Sequence, residues 1–255
     1  IDLGTTYSCI SYLNPQGEPV TLPNSEGEFC TPSVVLFDGD EIILGTEALG
    51  NSVAQPDRVV ENAKRFMGDA NKVWMIDGDA HRPHDIAGIV LRKLLDGAEQ
   101  RLGPIRHAVI TVPGQFSEAQ RQATIAAGRL AGLERIDIIN EPVAAALCHV
   151  LGEGNWFAEL AKDQLVMVFD LGGGTFDLSL VQYNKNSVKV VASGGDLHRF
   201  ESALLVEGRD CVDVPPLLGD RGLASDHGLS GWHQYGVVGV EGGDDGSVPS
   251  VDRLA

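Results

Sequence analysis

Two short segments of this 255-residue chain place an acid, a glycine bend and a hydroxyl in the same order. Asp2-Leu3-Gly4-Thr5-Thr6 stands at the start, and Asp170-Leu171-Gly172-Gly173-Gly174-Thr175 repeats it past the midpoint. Each follows or ends an apolar run and leads into another, so each reads as strand, tight turn, strand. Glycine at the bend lets backbone N–H groups converge on an anion, because no Cβ blocks the approach. The acid can hold a divalent cation, through water when the cation is Mg²⁺. The hydroxyl can donate to a phosphate oxygen. One such loop alone is an ordinary hairpin whose Asp serves turn geometry. Two in matching order point to a duplicated fold that grips one polyphosphate from both sides. No G-x-x-x-x-G-K-[ST] run occurs, and Gly172-Gly173-Gly174 enters a strand-like run and not a helix, against a dinucleotide fingerprint. No histidine spacing suggests a metal site or a nucleophile–base pair.

Elements that could carry such loops follow from periodicity. Short apolar runs (Tyr7 to Leu13, Ser33 to Phe37, Glu41 to Leu44) are separated by turn clusters and predict strands. Thr46 to Val53 reads as a short helix, and a second helical stretch runs from about Arg58 through Lys64 to Gly68. Asp85 to Leu102 predicts a strong helix, with Ile86, Ile89, Val90, Leu94 and Ala98 on one face. Then strands and helices alternate: His107 to Val112, a helix over Ser117 to Ala131, Ile136 to Ile139, and a helix opened by Pro142. Ser117 and Gln120 stand at capping-box spacing. A buried-type strand, Leu165 to Leu171, precedes a hairpin of Thr175 to Tyr183 with Ser187 to Ala192. This alternation predicts an α/β domain with a mixed sheet.

Composition bounds the function. Hydrophobic residues are 43% and charged residues 22%, ordinary for a folded chain, and the formal charge is −17. So acidic an envelope repels phosphate backbones and anionic lipid, which argues against nucleic-acid or membrane-surface partners. No apolar run reaches the roughly 18 residues of a membrane span. Cys9, Cys30, Cys148 and Cys211 are scattered without a Cys-x-x-Cys pair, which reads as buried free thiols in a reducing compartment. The chain begins at Ile1, so a preceding segment, including a targeting one, stays open.

The segments DLGTTYSC from Asp2, VPGQFSEAQRQAT from Val112, INEPVAAAL from Ile139 and FDLGGGTFDLS from Phe169 resemble the ATPase domain of DnaK-type, or heat shock 70, chaperones. The resemblance implies an actin-like ATPase (ribonuclease H-like) fold in two lobes, the second incomplete. Lobe I would span about 1–163, the start of lobe II 164–196, and 197–255 would be a divergent, poorly ordered tail. It implies an ATP-binding, ATP-hydrolysing domain of a cytoplasmic protein-folding chaperone, using ATP/ADP and Mg²⁺. By the same resemblance, Asp2 and Asp170 match acids that hold hydrated Mg²⁺. Gly4, Thr5, Thr6 and Tyr7 match the first phosphate loop, and Gly172, Gly173, Gly174 and Thr175 the second. Thr175 and Asp177 match residues near the γ-phosphate and its attacking water, Glu141 the acid beside that water, and Lys64 a lysine that orients both. Pro113 and Arg121 resemble the pair that passes nucleotide state to a substrate domain. Family partners would be unfolded polypeptides, J-domain co-chaperones and nucleotide-exchange factors.

Taken singly, several of these residues have plainer readings. Glu141 before Pro142 suits a helix N-terminus by dipole alone. Lys64 reads as a solvated lysine, Pro113 as a strand terminator and Arg121 as an exposed helix residue. After Gly194-Gly195-Asp196 the family pattern is lost, and no adenosine-side segment is found. Residues 201–255 hold ten Gly, three Arg and no Lys, with no periodic pattern beyond Gly236 to Val240. A truncation, a reading-frame shift or a degenerate copy would each produce that change. The alternative function is therefore a non-catalytic fragment that binds phosphate or nucleotide weakly.

Overall fold

The computed structural model describes residues 1–152, 164–171, 176–184, 187–196 and 234–240. The chain divides into two units, with the break between Asn140 and Glu141.

The first unit contains, in order, β1 (Asp2–Leu3), β2 (Tyr7–Leu13), β3 (Pro19–Leu22), β4 (Thr31–Pro32), β5 (Val35–Asp38), β6 (Glu41–Leu44) and α1 (Thr46–Gly50). It continues with β7 (Val59–Val60), a 3-10 turn (Ala63–Phe66), β8 (Trp74–Ile76), β9 (Asp79–His81), α2 (Pro83–Leu102), β10 (His107–Val112), α3 (Glu118–Leu130) and β11 (Arg135–Asn140). β2 is antiparallel to β1 on one side and to β3 and β4 on the other. β10 and β11 are parallel. Ile1 joins these two sheets: its nitrogen donates to Val109 O at 2.7 Å, and its carbonyl accepts from Thr111 N at 3.0 Å. The strand order is thus β3-β2-β1-β10-β11, with the short acid-bearing strand in the middle.

Two helices cover this sheet. The buried side chains of α2 include Ile86, Val90, Leu91, Leu94, Leu95 and Ala98, which join Leu3, Ile10, Leu22 and Ile110 in one core. Ile89 lies partly buried against it. At Gly128 of α3 an added Cβ would lie 2.8 Å from Ile136 Cγ1, so the missing side chain sets how closely α3 approaches β11. The capping box at the start of α3 forms: Ser117 N donates to Gln120 Oε1 at 2.8 Å, and Gln120 N donates to Ser117 Oγ at 3.4 Å.

One expected helix does not form. Arg58 to Gly68 splits into β7, which pairs with β5 through Val35↔Val60 and Leu36↔Val59, and the single 3-10 turn that carries Lys64. Two adjacent β-branched valines find a strand partner there, and Asn62, at φ 56°, breaks any helical continuation.

The second unit contains α4 (Glu141–Gly152), β12 (Gln164–Leu171), β13 (Phe176–Asn184), β14 (Ser187–Asp196) and β15 (Gln234–Val240). The sheet order is β14-β13-β12-β15. β13 is antiparallel to β12 and β14, with a bulge between Leu180 and Val181. Ala146 of α4 packs with Val166, Val168 and Val181 to form the core of this unit. The strand-like stretch expected at Gly236 to Val240 lies within β15, and the rest of 197–255 falls outside the described residues.

Candidate functional site

The two acid–glycine segments fold into hairpins of one geometry. In the first, Asp2 pairs with Cys9 and Leu3 with Ser8. In the second, Asp170 pairs with Asp177 and Leu171 with Phe176. Each acid therefore faces the residue seven positions on, and each last strand pair encloses four residues: Gly4 to Tyr7 in one hairpin, Gly172 to Thr175 in the other.

The first loop is held from below by residues to which the sequence reading gave no role. Gly4 N donates to Ser8 Oγ at 3.1 Å, Ser8 Oγ and Ser33 Oγ lie 2.9 Å apart, and Ser33 Oγ donates to Gly4 O at 3.0 Å. Ser33 N donates to Thr6 O at 2.8 Å. Thr111 Oγ1 on β10 donates to Asp2 Oδ1 at 3.2 Å, which fixes that carboxylate against the neighbouring strand. Thr5 is buried, and Thr6 Oγ1 is a buried hydroxyl with no hydrogen-bond partner in the protein. A buried donor of that kind costs free energy unless something accepts its proton, so the loop chemistry fits an oxygen-rich ligand.

Asp2 also raises the affinity of nearby thiols for their protons. Burial pushes the Cys9 thiol up to about 12, with the charges of Asp2 and Cys30 adding to it. Burial and then Asp2 push Cys30 up as well. All three described cysteines are free, but the expected burial is incomplete: Cys9 and Cys30 are half-buried and Cys148 is exposed. Cys211 lies outside the described residues.

In the second unit Asp170 is 7% exposed, and Asp177 is half-buried across the strand pair from it. Gly172, Gly173, Gly174 and Thr175 lie outside the described residues. Glu141 is 6% exposed and is the first residue of α4.

Arg121 and Pro113 come together in the first unit. Arg121 Nε donates to Phe116 O at 3.1 Å and Nη2 to Gly114 O at 3.4 Å, while Phe116 N closes the turn onto Pro113 O at 3.1 Å. Arg121 Nη2 also donates to Asn140 Oδ1 at 2.8 Å. The guanidinium thereby ties the Pro113 turn to the residue that immediately precedes Glu141. Lys64 sits half-buried on its 3-10 turn, on a different element from Asp2. Among the described residues no group of three or more His, Cys, Asp or Glu could hold a metal by itself. No helix among them is long and apolar enough to cross a membrane.

A strand order with a central acid-bearing strand, and a hairpin repeated in one register, define a mixed α/β protein with a duplicated acid–glycine hairpin. The Hsp70 protein family matches residues 1–200, and the chain belongs to that family of ATP-binding chaperones, which implies an actin-like ATPase fold. The chaperone protein DnaK of Thermotoga petrophila is 44% identical over 200 residues, covering 78% of this chain and 32% of the relative. The DnaK proteins of Thermotoga maritima and Thermotoga neapolitana match with the same identity and coverage. The chain thus spans about a third of the length of the curated relatives it matches.

Proposed function

We propose that residues 1–196 form the phosphate-binding side of a DnaK-type nucleotide-binding domain that takes Mg²⁺–ATP and Mg²⁺–ADP. The observation that carries this reading is the repeated hairpin, with Asp2 and Asp170 at the same register position and four-residue loops after each. In this reading the carboxylates of Asp2 and Asp170 hold water bound to the cation, because Mg²⁺ gives up its hydration shell reluctantly. When bound, Mg²⁺ neutralises charge on the phosphates. Backbone amides of Gly4 to Tyr7 and of Gly172 to Gly174 donate to the phosphate oxygens, and the Thr6 hydroxyl gains an acceptor. Lys64 draws the terminal phosphate by charge. In this reading Glu141, Asp177 and Thr175 orient the attacking water, and Glu141 takes its proton. Arg121 and Pro113 couple the Glu141 segment to the Gly114–Phe116 turn, from which nucleotide state would pass to a client-binding domain.

Calorimetric titration with Mg²⁺–ATP and Mg²⁺–ADP tests this. Saturable binding that weakens at least tenfold, or about 1.4 kcal/mol, in Asp2→Asn and in Asp170→Asn is expected. Equal affinity in both variants and the parent would refute the assignment. A second reading, weak phosphate or nucleotide binding without turnover, is favoured by one observation: the family match stops at residue 200 of 255. Cytoplasmic location, and unfolded polypeptides, J-domain proteins and exchange factors as partners, are proposed by family alone.

A further inference from the structure

We propose that Gln234–Val240 is a self-complementing strand, closing the outer edge of β12 within one chain and keeping that edge from taking a strand of a second copy. β12 is the apolar centre of its sheet: Val166 and Val168 are 2% and 1% exposed. One edge of β12 is taken by β13, from Gln164↔Tyr183 to Leu171↔Phe176. The other edge is taken by β15, antiparallel and without a break from Leu165↔Val240 to Leu171↔Gln234. An apolar strand with an open row of N–H and C=O groups is a template for another chain.

The two edges of the β14-β13-β12 meander are protected differently. β14 carries Ser187, Lys189 and Ser193 exposed along its length, and a lysine on an edge discourages further pairing. β12 has no charged residue from Gln164 to Phe169, so nothing in its own sequence blunts its edge. β15 takes that place. Its sequence, Gln-Tyr-Gly-Val-Val-Gly-Val, has no charge to repel an apolar neighbour and two glycines that make it a weak strand alone. In the register, Gly236 stands opposite Phe169 and Gly239 opposite Val166, so each strand-weakening glycine faces a large apolar residue. The pairing extends to Tyr235 opposite Asp170, and the cap therefore reaches the foot of the second loop.

The test uses the full-length chain. Val237→Pro/Val238→Pro removes both amides at the centre of β15, at least one of which faces β12. Hydrogen exchange of the β12 amides and mass by light scattering are compared with the parent. The outward half of the β12 amides should exchange roughly tenfold faster or more, the β13-facing half should keep its protection, and the mass should rise above that of one chain. Unchanged exchange, or a single-chain mass with the edge open, overturns the proposal. A second variant covers global misfolding: Met167→Cys/Val238→Cys, treated with oxidised glutathione. A 167–238 link within one chain is expected from the register. No link, or links only between chains, overturns it.

Discussion

Ser33 gives the first loop its shape through three bonds, none of them to a sequence neighbour. Ser33→Ala removes the two side-chain bonds and leaves Gly4 O and Ser8 Oγ with fewer partners. A loss of about 1–3 kcal/mol is expected in denaturant unfolding. Cys9 makes stability depend on pH in the alkaline range. Its thiol is raised from 9.0 to about 12, mainly by burial. Below pH 9 the folded and unfolded chains both keep that proton, so Cys9 leaves stability level. Between 9 and about 12 the unfolded chain releases it first, so stability falls as pH rises. Thermal melts from pH 8 to 11 should show this decline, and Cys9→Ser should flatten it. For the proposed chemistry, Glu141→Ala and Thr175→Ala should slow ATP turnover by roughly a hundredfold or more while leaving nucleotide binding largely intact. Turnover equal to the parent's would remove both residues from the mechanism.

At the level of elements, α3 places Arg121 and β11 delivers Asn140 and then Glu141. The spacing between α3 and β11 is set at Gly128, where an added Cβ would come within 2.8 Å of Ile136. Gly128→Val should lower stability by about 1–3 kcal/mol through overpacking. Because the strain falls beside β11, the Arg121–Asn140 bond should loosen too. Thermal unfolding of the variant measures the first effect, and side-chain chemical shifts of Asn140 report the second. The 3-10 turn at Lys64 shows how a tertiary partner redirects a segment: Val59 and Val60 have higher value as partners of β5 than as helix residues.

For the whole molecule, the family match and the acidity decide what can bind. A net charge of −17 leaves anion binding to local amides and hydroxyls, since the general field opposes it. The matched residues include both acid–glycine motifs, and residues 201–255 lie outside the match. If adenosine contacts are missing from this chain, ATP and GTP should bind within about tenfold of each other, a difference below about 1.4 kcal/mol. Parallel titrations check this. A strong preference for ATP would mean that a base-recognition surface exists in this chain.

The sequence alone determined the features that rest on local chemistry. The α2 face, the Ser117–Gln120 box, the β13–β14 hairpin and the repeated acid–glycine order are written in neighbours a few positions apart, where periodicity, caps and turns act. The repeated order singled out Asp2 and Asp170, whereas Glu141 and Arg121 were singled out only by the family resemblance, since alone they read as an ordinary helix start and an exposed helix residue. Tertiary structure decided what depends on distant partners. Thr111 meets Asp2 across 109 positions, Ser33 meets Gly4 across 29, and Arg121 meets Asn140 across 19. None of these side chains advertises its partner, because a hydroxyl or guanidinium bonds whichever acceptor the fold brings near. The shared register of the two hairpins was also invisible beforehand, since register is set by cross-strand pairing and not by the order of residues along either strand. The same holds for Gln234–Val240: its strand character was legible, but β12 as its partner was fixed only by the open apolar edge that the folded sheet presents.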